Sequence, residues 1–135
     1  MGAFARWLAL TRRERRLVLE SAGAITIVVA GLRLLGARRM LRLPPVSARG
    51  NAGPGPDEIR DHVAAIERAG RYIPGGTCLT QSLALARILR RRGVAAYVRI
   101  GVKTAGALEA HAWVEADGEA LTDAPDLRAR FAPIN

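Results

Sequence analysis

The sequence predicts an α+β chain: a helical N-terminal half followed by a small antiparallel sheet. Three observations carry this. Apolar residues recur at helical spacing up to about residue 92, Val94, Ala96, Val98, Ile100 and Val102 then alternate with Ala95, Tyr97, Arg99 and Gly101, and short strand-like runs with turn residues follow. Half of the 135 residues are apolar, enough to bury a core, and the length suits one domain with a small appendage.

Residues 4–20 read as an arginine-rich amphipathic helix, with Thr11 and Glu14 spaced as a capping box that starts or restarts it. Residues 22–32 are uncharged until Arg33, shorter than the about 20 residues a spanning helix needs. They are expected to be a helix packed in the core or on a partner, with contact of the 22–35 helix to a membrane surface as the less favoured reading. Gly36 should stop it. Residues 1–43 thus form a basic helical segment, and the Pro- and Gly-rich stretch 44–56 a linker to a domain over 57–135. Pro56-Asp57-Glu58 suits a helix start, with Ile59, Val63 and Ile66 on one face and His62 at the surface. A second helix runs from Thr77 to Arg92, ending in solvated Arg90, Arg91 and Arg92 before Gly93. Strands are expected at Val94–Val102, Ala110–Glu115 and Glu119–Asp123, and the tail Ala124–Asn135 should hold a helical turn at most.

The net charge of +9 is uneven. Residues 1–49 hold ten arginines against two acids, whereas residues 50–135 hold eleven basic residues against ten acids. The basic surplus therefore belongs to the N-terminal segment. It could attract an anionic partner, but no interleaved aromatics suggest nucleic acid. One cysteine excludes an internal disulfide and, with two histidines, argues against a metal site or any cofactor. A reduced, cytosolic setting follows.

The single Cys78 falls where a helix begins, after Gly75-Gly76-Thr77. A thiol attacks a carbonyl as its thiolate, a form favoured at helix N-termini and beside a histidinium. His111 on the second strand and Asp123 on the third complete the order of a Cys-His-Asp triad: nucleophile, general base and orienting carboxylate. A two-residue Asp117-Gly118 turn would put Asp123 on the face away from His111. A three-residue loop pairing 115 with 119 would set them opposite, and the triad reading expects that loop. Gly76 would admit a substrate backbone, Thr77 would border the site, Trp113 would wall it, and Tyr72 could donate to an oxyanion. Each residue alone more often has a plain structural role; their joint order makes the case.

These same residues resemble a known family. Cys78-Leu79-x-x-Ser82-Leu83-Ala84-Leu85, Leu89-x-x-Arg92-Gly93-Val94, Ile100-Gly101-Val102, Ala110-His111-Ala112-Trp113-Val114-Glu115 and a following aspartate look like the transglutaminase-like B proteins of lasso-peptide biosynthesis. The resemblance covers about residues 56–135. It implies a papain/transglutaminase-type core in which the nucleophile helix packs on the sheet. It also implies a cysteine protease that removes the leader from a precursor peptide before a separate cyclase closes the ring. Larger members carry a fused leader-recognition domain. No strand pattern for one occurs in residues 1–49, so a separate leader-recognition protein is the expected partner, with the N-terminal helices as a docking surface. Transglutaminase-type acyl transfer by the same triad, and a non-catalytic basic adaptor, are the alternatives.

Overall fold

The computed structural model describes residues 2–42, 54–103, 109–122 and 131–133. The expected first helix is split in two. Helix α1 spans Ala3–Leu8 and α2 spans Arg12–Leu35. The break lies at the capping box itself: the Glu14 N–H donates to Thr11 Oγ1 (3.1 Å), and the Thr11 N–H donates to the Glu14 carboxylate (2.8 Å). Arg15 then reaches back and donates to the carbonyls of Trp7 and Leu8 at 3.2 and 2.8 Å, serving acceptors that the end of a helix leaves open. Gly36, at φ +82°, stops α2 as expected, and α3 follows over Ala37–Arg42. Met40 of α3 folds under Gly31, where a Cβ would lie 2.7 Å from its sulfur.

Length and apolar composition would let α2 cross a membrane, with a mean hydropathy of 1.8 over its most apolar window. Its inner face is nevertheless part of the core. Ile25 and Val28 are 0% and 1% exposed and pack in one cluster with Ile66 of α4 (Pro56–Gly70) and Leu85 and Leu89 of α5 (Cys78–Arg91). Side-chain ties join the same helices: Arg13 of α2 pairs with Asp61 of α4, and Glu20 of α2 with Arg92, the cap of α5, at 2.6 and 3.1 Å. The outer face of α2 leaves Leu19, Ile27 and Leu34 in water. Of the expected linker, residues 44–53 lie outside the described residues, and Pro56 is already the first residue of α4.

Two surface expectations fail. His62 is 3% exposed, because it lies on the side of α4 that also buries Ala65, Ile66 and Ala69. Arg90 is no solvated helix end either: its Nε donates to the Ala96 carbonyl at 2.7 Å, tying the end of α5 to the start of the sheet.

Among the described residues the sheet has four antiparallel strands in the order β3-β2-β1-β4. They are β1 (Ala96–Lys103), β2 (Glu109–Ala116), β3 (Glu119–Ala120) and β4 (Ala132–Pro133). β1 and β2 pair along their full length, with Gly101 opposite His111 and Arg99 opposite Trp113. Alternation puts Val98 and Val114 into the cluster with α5, while Arg99, Gly101, His111, Trp113 and Glu115 share the other face. The tail was not expected to join the sheet. Ala132 and Pro133 pair with Val102 and Gly101 at its edge, where a proline lacking an N–H is tolerated.

The β2–β3 connection differs from the three-residue loop the triad reading expected. Ala116 pairs with Glu119 and Glu115 with Ala120, leaving a two-residue turn. Both turn residues have positive φ, 53° for Asp117 and 78° for Gly118. This is the primed geometry that matches strand twist, and Asp and Gly tolerate it. The ladder then ends early. The Leu121 N–H still donates to Val114 O (2.8 Å), but the Val114 N–H turns to the Thr122 hydroxyl (3.3 Å) in place of a backbone carbonyl. Strand parity therefore does not carry past Leu121, and Asp123 lies outside the described residues.

Candidate active site

Cys78 is the first residue of α5 and is exposed. Thr77 caps the helix in an extended conformation (φ −78°, ψ 172°), its Oγ1 accepting from the Thr80 N–H at 3.3 Å. The loop before it is tightly held. Gly75 sits at φ +83°, its carbonyl accepting from Thr80 Oγ1 (2.9 Å), while Gln81 Nε2 donates to Gly76 O (2.9 Å). A Cβ on Gly76 would lie 2.5 Å from the Gly70 carbonyl oxygen, and one on Gly70 would collide with the Gln81 amide. Gly76, expected to admit a substrate backbone, is thus required by the packing of its own loop against the end of α4. That knot fixes where α5 begins, and so where the thiol sits.

A cleft of about 260 Å³ opens at this point. Cys78, Gln81 and Ser82 line it from α5, Ile66 and Glu67 from α4, Arg71 from the turn after α4, His111 from β2, and Thr122 from the segment after β3. Helix and sheet therefore bring Cys78 and His111 to one cleft, with the residue preceding Asp123 on its wall.

The His111 ring is half-buried and held by two aromatics: Trp113 is stacked at 6.3 Å and 21° between planes, and Phe131 is tilted at 5.5 Å. Trp113 is wholly buried, so it backs the imidazole and does not wall the cleft. Its indole N–H donates to Glu115 Oε2 at 2.7 Å, and Glu115, only 3% exposed, pairs with Arg99 (3.5 Å). Gly101 must be a glycine for this stack, since a Cβ there would lie 2.7–2.8 Å from Phe131 and the Trp113 ring. A chain of contacts thus runs Arg99, Glu115, Trp113, His111 along one face of the sheet.

Tyr72 is not at the cleft: it is 59% exposed and lines a separate cavity with Phe4 and Trp7. Sequence reading missed Phe131, Glu115 and Gln81. The i, i+2, i+4 spacing of His111, Trp113 and Glu115 marked a buried carboxylate on the histidine's own face; Phe131, in a tail read as irregular, left no such signal. Among the described residues no cluster of His, Cys, Asp and Glu is arranged to hold a metal.

A helix-borne cysteine and a strand-borne histidine facing one cleft agree with the comparison to known families. The model of the transglutaminase-like superfamily matches residues 22–135, and the chain belongs to that superfamily. The match begins inside α2, consistent with that helix forming part of the core. Over 57 residues, 42% of this chain, the sequence is 44% identical to the microcin J25-processing protein McjB of Escherichia coli. That alignment spans 27% of the McjB chain. No solved structure matches.

Proposed function

We propose that this protein is a cysteine peptidase that removes the leader from a lasso-peptide precursor. The observation that carries the proposal is the shared cleft of Cys78 and His111. Membership of the transglutaminase-like superfamily and the similarity to a microcin-processing protein support the substrate class. In this reading His111 takes the Cys78 proton and the thiolate attacks the carbonyl at the leader–core junction. The N–H groups at the start of α5, a position where helices leave donors open, stabilise the oxyanion. The imidazolium gives its proton to the departing amine of the core peptide. It then takes a proton from water, which hydrolyses the thioester and frees the leader as an acid. Asp123 orients the imidazole and stabilises its charge. A separate leader-recognition protein delivers the precursor, a cyclase consumes the core, and the setting is cytosolic.

Mass spectrometry of a precursor peptide incubated with the chain and a leader-binding partner tests this. One cut at the leader–core junction, lost in Cys78→Ala, is the expected outcome. No cut by the wild type with the partner bound, or a cut that survives in Cys78→Ala, overturns it.

A further inference from the structure

A second cavity adjoins the cleft, and Arg71 lines both. It measures about 490 Å³ and lies between α1, α2, the end of α4 and the turn that follows. Sites that hold ligands usually occupy about 300–1,000 Å³. Its surface combines two features. Phe4 and Tyr72 are 74% and 59% exposed beside the half-buried Trp7, an arrangement that stabilises the free fold little. Around them stand Arg6, Arg68 and Arg71, with no carboxylate among the described residues of the lining.

We infer that this groove seats the leader segment of the precursor next to the scissile bond, a stretch that combines aromatic or aliphatic side chains with aspartate or glutamate. The inference rests on the peptidase reading above and adds a binding surface to it. Apolar side chains would cover Phe4, Trp7 and Tyr72, and carboxylates would meet guanidinium forks whose geometry suits them. The leader occupies the groove, and the core peptide does not, because of the reaction's chemistry. The leader is the acyl half that stays on Cys78 through both steps, so contacts to it persist from attack to hydrolysis. Arg71 provides the continuity, since a chain leaving the cleft past it enters the groove.

The test uses Phe4→Asp and Arg6→Glu, separately and together. Both side chains are exposed and neither lines the cleft, so thermal melts should match the wild type. Two substrates are compared: the full precursor, and a short peptide spanning only the junction. The double variant is expected to raise KM for the full precursor about tenfold with kcat kept, and to leave cleavage of the short peptide unchanged. By fluorescence anisotropy, a labelled leucine/glutamate peptide should bind the wild type and lose affinity in the variants, while its leucine/lysine counterpart should not bind. Unchanged KM for a precursor that the wild type cuts overturns the groove and leaves the peptidase standing. Failure of the wild type to cut either substrate overturns the peptidase reading, and loss of the glutamate peptide's preference then overturns the groove on its own. Loss of binding to anionic phosphatidylglycerol vesicles, or to the leader-recognition protein alone, with the precursor KM unchanged, reassigns the surface to a membrane or to that partner and overturns the inference.

Discussion

Replacing Glu115 by alanine tests whether the contacts behind His111 hold the imidazole in place. The carboxylate accepts from the Trp113 indole at 2.7 Å and pairs with Arg99, and it is nearly sealed from water. Its removal leaves a fully buried indole N–H without its acceptor and a half-buried guanidinium without this partner. A hydrogen bond to a charged group contributes about 1.5–3 kcal/mol, and breaking a buried ion pair from one side costs about 3–5 kcal/mol. Because the lost carboxylate had itself been desolvated, and Arg99 is partly in water, a net loss of about 3 kcal/mol is expected. For a chain of 135 residues that lowers Tm by about 10 °C. Glu115→Gln keeps an oxygen for the indole and should lose less than about 1 kcal/mol. Thermal melts read both values. Imidazole NMR then links stability to the site: with two histidines in the chain, the His111 ring signals are assignable by removing His62. The alanine variant should shift the His111 ring resonances and lower kcat for cleavage with KM unchanged, and the glutamine variant should restore both. A Tm drop under about 3 °C for alanine, or equal losses for alanine and glutamine, would refute the assigned role of the carboxylate. An unmoved His111 spectrum would refute its link to the imidazole.

Two further predictions concern the helical half. Ile25→Ala should cost about 2–5 kcal/mol in urea unfolding, because Ile25 is sealed between α2 and the helices it packs on; a loss below about 0.5 kcal/mol would mean that α2 is no part of the folding unit. Burial, with Arg92 next in effect and Arg13 adding to it, holds the His62 imidazole below its usual range, while Glu20 and Glu58 oppose the shift. The unfolded chain therefore takes up a proton near pH 6.5 that the folded one refuses, so this contribution to stability is complete above about pH 6.5 and lost as pH falls below it. His62→Gln should flatten the unfolding free energy over that range, and an unchanged slope would show that the buried imidazole titrates as freely folded as unfolded.

Features written into neighbouring residues were readable in the sequence, and those made by distant pairings were not. The Thr11–Glu14 box, the Pro56 start and the Gly36 and Gly93 stops are local, and each stands where the sequence predicted. His62 seemed a surface residue because three residues on its face, Ile59, Val63 and Ile66, already supplied an apolar stripe. Only the arrival of α2 from some forty residues earlier widens the buried face to include it. The same arrival turns Arg92 from a free helix end into the partner of Glu20. The turn at Asp117-Gly118 went the other way: the expected three-residue loop followed the register that the triad reading needs, whereas Asp and Gly at positive φ locally favour the two-residue form that forms. That need assumed a third strand reaching Asp123, whereas the ladder is interrupted at Thr122, whose hydroxyl takes the Val114 N–H. A hydroxyl in place of a ladder carbonyl ends the backbone pairing short of the cleft, so the register of the two-residue turn holds only as far as Leu121.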